Sequence, residues 1–294
     1  MKYLITGGSG FIGGYIYEAL KDKDKNVEVV ILDTSPPKGF DFDGEFVVGD
    51  MRDKNIVLQT AYGCNGIFHV AGILGTLESF NDPYLVSDVN IHGALRVFDV
   101  AKLLKIPVVN LSLGNPWANP YMITKRTAHE FAQMYNEAFN TKITTLMGRN
   151  AYGPRQKWAH VQKVVPTFIV RALKNEDIVI WGDGEQVIDL IHANDLAEAC
   201  LIAMDKRLPE VIDLGSGIPV KVKALAEKVI ELTGSKSNIK YIPMRKGEPF
   251  RSITLADTEK ATNLLEFKIK TSLDDGLRAA INWYRDNLNN LKWN

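Results

Sequence analysis

Residues 6–13 read Thr6-Gly7-Gly8-Ser9-Gly10-Phe11-Ile12-Gly13. The apolar run Tyr3-Leu4-Ile5 precedes them, and an amphipathic run over 11–20 follows. A glycine cluster that ends a strand and opens a helix is suited to binding a pyrophosphate. Gly7 permits the tight turn, Gly10 lets the anion approach the backbone, and Gly13 lets the helix close on the sheet. Phe11 and Ile12 open the helix whose N-terminus faces that anion, and they join the same binding set. Asp33 ends the next strand, about twenty residues after Gly13. A carboxylate there accepts hydrogen bonds from adenosine ribose hydroxyls and repels a 2′-phosphate. No Arg follows within Asp33-Thr34-Ser35-Pro36-Pro37, which favours NAD over NADP.

Outward from this turn the pattern alternates. Apolar runs at 27–32, 46–48, 66–70, 107–111 and 142–147 read as strands, and runs at 54–61, 86–104 and 121–139 as helices. That order predicts an α/β fold, a doubly wound parallel (Rossmann) sheet with helices on both faces. After Gly148 the rhythm changes. A loop over 149–156 leads to helices near 164–174, 195–205, 222–232 and 273–289, with strands at 178–180, 187–191, 211–213 and 239–242. The expected division is a cofactor domain over 1–150 and a smaller α/β substrate-binding cap mainly over 151–294. The two are interleaved, the chain crossing back near 182–206.

Composition narrows the function. The 294 residues carry 35 Lys+Arg and 35 Asp+Glu, so no basic excess exists to track a nucleic acid. One small anionic ligand needs only two or three placed cations. Cys64 and Cys200 can form neither a disulfide framework nor a thiolate zinc site, and His69, His92, His160 and His192 show no metal-ligand spacing. His69 and His92 sit in apolar stretches and read as core histidines. No run of 18 uncharged apolar residues predicts a membrane span. The N-terminus reaches glycine too soon for a signal peptide, so a reduced cytoplasm is the expected compartment.

Asn119-Pro120-Tyr121-Met122-Ile123-Thr124-Lys125 reads as a helix start, with Asn as N-cap and Pro in the first turn. Tyr121 and Lys125 share one helix face. A neighbouring ammonium and a nicotinamide cation both favour phenolate, which would make Tyr121 a general base.

With these motifs the sequence resembles the extended short-chain dehydrogenase/reductase superfamily, in its NAD-dependent epimerase/dehydratase branch. The likeness runs from Lys2 to about Tyr284. It rests on TGGSGFIG at 6–13, Asp33, GDMRD at 49–53, HVAG at 69–72 and VNIHGALRVFDVAK at 89–102. It continues through YMITK at 121–125, RNAYGPR at 149–155 and WGDGEQVIDLIHANDLAEA at 181–199. The resemblance implies that Asp50 and Met51 hold the adenine and that Ala71 and Gly72 line the cofactor. Asn90 supports the nicotinamide half, and Lys125 binds its ribose. Asn150, the loop after it and Val165 meet a nucleotide-diphosphate sugar, and Arg245 contacts its diphosphate. The implied reaction is 4-epimerisation through a 4-keto sugar. A 4-ketoreductase or dehydrogenase and a non-catalytic NAD-binding protein are the alternatives. The implied assembly is a homodimer through helices 86–104 and 121–139.

Two positions depart from that pattern. Relatives place a Ser or Thr after the fifth strand, beside the reacting hydroxyl. Here Leu113 falls in that position and Ser112 one residue earlier, which reverses its direction. Ser112 is either a displaced catalytic hydroxyl or a structural Ser. Relatives also carry Arg where this chain has Ile188, so Arg149, Arg155, Lys157 or Arg245 is expected to hold the diphosphate instead. The segment Arg155-Gln156-Lys157-Trp158-Ala159-His160 reads equally as a nucleotide-facing loop and as a solvated one.

Overall fold

The computed structural model describes residues 1–159 and 161–290. Strands that are apolar along their length need cover on both faces. In β1 (Lys2–Thr6) and β2 (Glu28–Asp33), alternate residues feed opposite cores. Ile5 and Ile31 pack on one side, with α1 (Phe11–Lys23). Leu4, Val30 and Leu32 pack on the other.

β3 (Glu45–Val48), α2 (Lys54–Ala61), β4 (Gly66–His69), α3 (Pro83–Ser87), α4 (Ala94–Leu104), β5 (Val108–Ser112), α5 (Pro120–Phe139) and β6 (Ile143–Gly148) follow. The chain then enters the cap with β7 (Asn150–Tyr152), α6 (Val164–Leu173), β8 (Ile178–Trp181), β9 (Val187–Ile188) and β10 (Leu190–His192). It returns with α7 (Ala193–Lys206) and β11 (Val211–Leu214). β12 (Val220–Lys221), α8 (Val222–Thr233), β13 (Ile239–Ile242), β14 (Ile253–Thr254), α9 (Glu259–Leu265) and α10 (Leu273–Asn287) complete it.

The main sheet has seven parallel strands in the order β11-β6-β5-β4-β1-β2-β3. Strand order reverses between β1 and β4, and ligands of such sheets bind at the carboxyl ends of the strands at this switch point. α6, α8 and α10 share a separate core in the cap. No helix among the described residues is long and apolar enough to cross a membrane.

Three predicted elements differ from the sequence reading, and β7 and α9 form where it placed none. The helix expected over 86–104 is interrupted by a π-helical turn, Asp88–Gly93. There Asn90 is buried and bonded away from the helix, and Gly93 lies so close to Met51 that a Cβ would come within 2.7 Å of its Cε. The strand expected over 187–191 is split at Asp189. This fully buried carboxylate turns inward and accepts from Ser216 N and Oγ (2.7 Å each), Gly217 N (3.0 Å) and Ala256 N (3.1 Å). The run at 211–213, grouped with the cap, is instead the edge strand of the main sheet, paired with β6.

Candidate functional site

The glycine turn after β1 has a distinct geometry at each position. Gly7 has φ +72°, a conformation that favours glycine, and a Cβ there would lie 2.6 Å from Ala71 Cα. The turn therefore rests against the end of β4. A Cβ at Gly13 would lie 2.5 Å from Gly8 Cα and 2.7 Å from Gly7 O, so helix and turn touch backbone to backbone. A Cβ at Gly10 would meet only Gly7 O, at 3.2 Å, and otherwise points into open space. The Ser9 hydroxyl in this turn is buried without a partner. Asp33 accepts from Ser9 N (3.1 Å) and Thr34 N (2.7 Å), which fixes its carboxylate at the rim. Phe11 and Ile12 pack their side chains on the core, and α1 begins at Gly10 without a side-chain cap. An open cradle, an unpartnered hydroxyl and uncapped helix amides fit a dinucleotide pyrophosphate.

The two glycines thus predict different failures. Gly13→Ala should destabilise the fold by about 1–3 kcal/mol, through overpacking against backbone. Gly10→Ala should leave the melting temperature nearly unchanged and weaken NAD at least about tenfold. Thermal melts with and without NAD, beside a binding titration, separate the two outcomes.

Met51 is 6% exposed and packs into the core against Gly93. The Asp50 carboxylate is gripped by Arg52 (Nη2 2.6 Å), which also reaches Asp88 (2.5 Å). That guanidinium holds Asp50 below the usual carboxylate range.

Lys125, Asn90 and Gly72 converge at the other end. Asn90 is 2% exposed. It accepts from Ile73 N (2.8 Å) and donates to Ile73 O (2.9 Å) and Thr124 Oγ1 (3.0 Å). A Cβ at Gly72 would lie 2.9 Å from Asn90 Oδ1 and 3.8 Å from Lys125 Nζ. Asn119 caps α5 through Met122 N (2.9 Å) and so fixes where Tyr121 and Lys125 emerge. Burial pushes the Lys125 ammonium down to about 8 and the Tyr121 phenol well above its ordinary value. The phenolate expected for Tyr121 is tied to a bound nicotinamide cation; in the protein alone desolvation favours the phenol, and no described residue hydrogen-bonds its hydroxyl.

Ser112 is 4% exposed and donates to Lys125 O (3.0 Å), with His129 Nδ1 at 3.3 Å. Its hydroxyl is committed to α5 and holds the helix in place. Leu113 beyond it is apolar. His69 is buried against Thr6 Oγ1 (2.7 Å), and burial pushes its imidazole down to about 3. His92 is exposed instead, bonded to Asp88 at 2.9 Å, because the π-turn rotates it outward.

The cations expected at a diphosphate are already engaged. Arg149 is nearly buried, paired with Asp213, and donates to Asn115 Oδ1 (3.1 Å). Arg155 forms a two-pronged pair with Glu18 and stacks over Tyr15 at 4.6 Å. Arg245 pairs with buried Glu248 (2.6 Å), and Arg251 with Asp183 (2.7 Å). Lys157 is exposed, and His160 lies outside the described residues. Asn150 donates to Asp189 O (3.0 Å). Val165 and Ile188 belong to the cap core, so Ile188 packs rather than faces a ligand.

One residue was missed by the sequence reading. Lys163, just before α6, places its ammonium 6.0 Å from the centre of the Tyr121 ring. The available signal was a lysine at a helix start, where Ser, Thr, Asp or Asn is favoured.

Comparison with known proteins bears on this site. The profile of the NAD dependent epimerase/dehydratase family matches residues 3–215. The UDP-N-acetyl-alpha-D-glucosaminuronate decarboxylase of Bacillus cytotoxicus is 28% identical, over 97% of this chain and 98% of that one. The UDP-glucuronate 4-epimerase of Thermodesulfobacterium geofontis is 25% identical, over 99% and 98%. The crystal structure of the UDP-glucose 4-epimerase of Thermotoga maritima with UDP-glucose superposes with a TM-score of 0.92. It is 27% identical and covers 98% of this chain and 100% of that one.

Proposed function

The chain belongs to the NAD dependent epimerase/dehydratase family, and from that premise we propose that it inverts C4 of a nucleotide-diphosphate sugar. Its cofactor is NAD. When bound, that group would supply a reversible hydride acceptor for the sugar. The chain's own residues do the rest. Gly7, Gly10 and Gly13 shape the pyrophosphate cradle, and Asp33 meets the adenosine ribose. Asn90 pins the 72–73 backbone, and Lys125 faces the nicotinamide ribose. Tyr121 takes the proton from the C4 hydroxyl and later returns it to the 4-keto sugar's oxygen.

The observation that carries this reading is the convergence of Tyr121, Lys125, Asn90 and Gly72 beside the glycine turn. A 4,6-dehydratase needs an acid/base pair after β5. Here that stretch is Gly114-Asn115, and Asn115 is bonded to Arg149. Incubation with UDP-, GDP-, CDP- and dTDP-sugars, followed by product NMR, tests the reading. A C4 epimer supports it. Accumulating NADH with an oxidised sugar would favour a dehydrogenase, and no turnover with NAD bound would favour a non-catalytic role.

The proposed assembly is a homodimer through α4 and α5. Leu103, Met134 and Phe139 on these helices are exposed, while Tyr135 turns inward to bond Asp99 (2.7 Å). Light scattering should give twice the chain mass, and Leu103→Glu with Met134→Lys should give one. A wild-type monomer would contradict the dimer. The proposed compartment is the cytoplasm, in keeping with two buried free cysteines.

A further inference from the structure

The reaction proposed above needs two groups at the reacting oxygen. One takes its proton, and the other steadies the negative charge that builds there. Tyr121 supplies the first. The strand end beside it supplies no second, since the Ser112 hydroxyl is committed to Lys125 O and Leu113 is apolar.

Lys163 stands across the Tyr121 ring, its Nζ 6.0 Å from the ring centre. It occupies the N-cap of α6 and makes no side-chain cap there. A cation at a helix N-terminus opposes the helix dipole, so this lysine costs stability where it stands. Two charged groups act on it, Glu78, which accepts from Gln162 N (3.2 Å), and Arg245, which pairs with Glu248. No described carboxylate comes within 4 Å of the Lys163 ammonium. Its charge therefore stands over the Tyr121 ring without being used up by an ion-pair partner. Burial pushes the ammonium down to about 8, which leaves most of it protonated at neutral pH.

We infer that Lys163 is the second hydrogen-bond donor at the reacting oxygen, in the place that an apolar Leu113 leaves open. The C4 hydroxyl proton passes to the Oη of Tyr121 in its phenolate form, and bound NAD would supply the acceptor for the C4 hydride with its electron pair. The C4–O bond becomes a carbonyl, and Lys163 keeps its three protons throughout. The return step reverses each transfer. The same ammonium favours the Tyr121 phenolate across the ring face. The inference rests on the C4 reading for its substrate, and on Tyr121 alone for its electrostatics.

The test uses NAD-loaded protein and the variants Lys163→Met, Lys163→Arg and Lys163→Met with Leu113→Ser. Two readouts are taken: kcat and KM with the nucleotide sugar, and the pH titration of 13C-labelled Tyr121, assigned with Tyr121→Phe. Lys163→Met should lower kcat about 10²-fold or more and leave KM within about threefold. Lys163→Arg should retain more turnover, and Leu113→Ser should restore part of what Lys163→Met loses. The Tyr121 signal should titrate at higher pH in Lys163→Met. A raised KM with unchanged kcat would make Lys163 a mere binding contact and overturn the inference. An unmoved Tyr121 titration would overturn it even if no sugar were turned over, which separates its failure from that of the C4 reading.

Discussion

Tyr121→Phe should lower turnover by about 10²- to 10⁴-fold while fold and NAD affinity persist. The substitution removes one oxygen and keeps the ring. No described residue hydrogen-bonds that oxygen, so its loss leaves no partner unsatisfied. The ring keeps its place because Asn119 and Pro120 set the start of α5. The expected signature is a loss in kcat with KM little changed, since Tyr121 acts on the reacting proton and not on the nucleotide. Steady-state kinetics, beside a thermal melt in NAD, check it. Turnover within tenfold of wild type would remove Tyr121 from the proton transfer.

Asp189→Ala should have the largest effect on stability, on the order of 3–5 kcal/mol. The carboxylate is fully buried and accepts from three backbone amides and one hydroxyl. Those donors come from the turn after β11 and from the segment after β14. One side chain therefore ties the edge of the cofactor sheet to the cap, and losing it leaves buried amides without acceptors. Gly215 sits so close that a Cβ there would lie 2.4 Å from Asp189 Oδ2, so the carboxylate fills the space beside it. Asp189→Asn keeps one acceptor oxygen and should lose less. Urea or thermal denaturation of both variants checks the order. An Asp189→Ala protein as stable as wild type would contradict this role.

How much of this was legible in the sequence follows from the range of each interaction. The glycine turn, Asp33 and the Tyr121–Lys125 spacing are local patterns, and backbone geometry alone places them. The direction of Ser112 was also legible, because a strand alternates its side chains. The fate of the arginines was not. Arg149 meets Asp213 and Arg155 meets Glu18, partners brought together only by β11 joining β6 and by the cap closing on α1. Lys163 and Tyr121 are likewise neighbours only through the cap. Length and composition could say that a few cations would serve one small anion. They could not say that most of those cations already hold carboxylates.

The central claim is that Tyr121 and NAD together remove and return hydrogen at C4 of a nucleotide sugar. The most direct measurement follows a nucleotide-linked sugar deuterated at C4, incubated with the purified NAD-loaded protein in ordinary water. The product is read by NMR. The predicted result is the C4 epimer with its deuterium retained at C4, because the hydride moves only between sugar and cofactor. Loss of the deuterium to solvent during inversion, or inversion at any other carbon, would contradict the account.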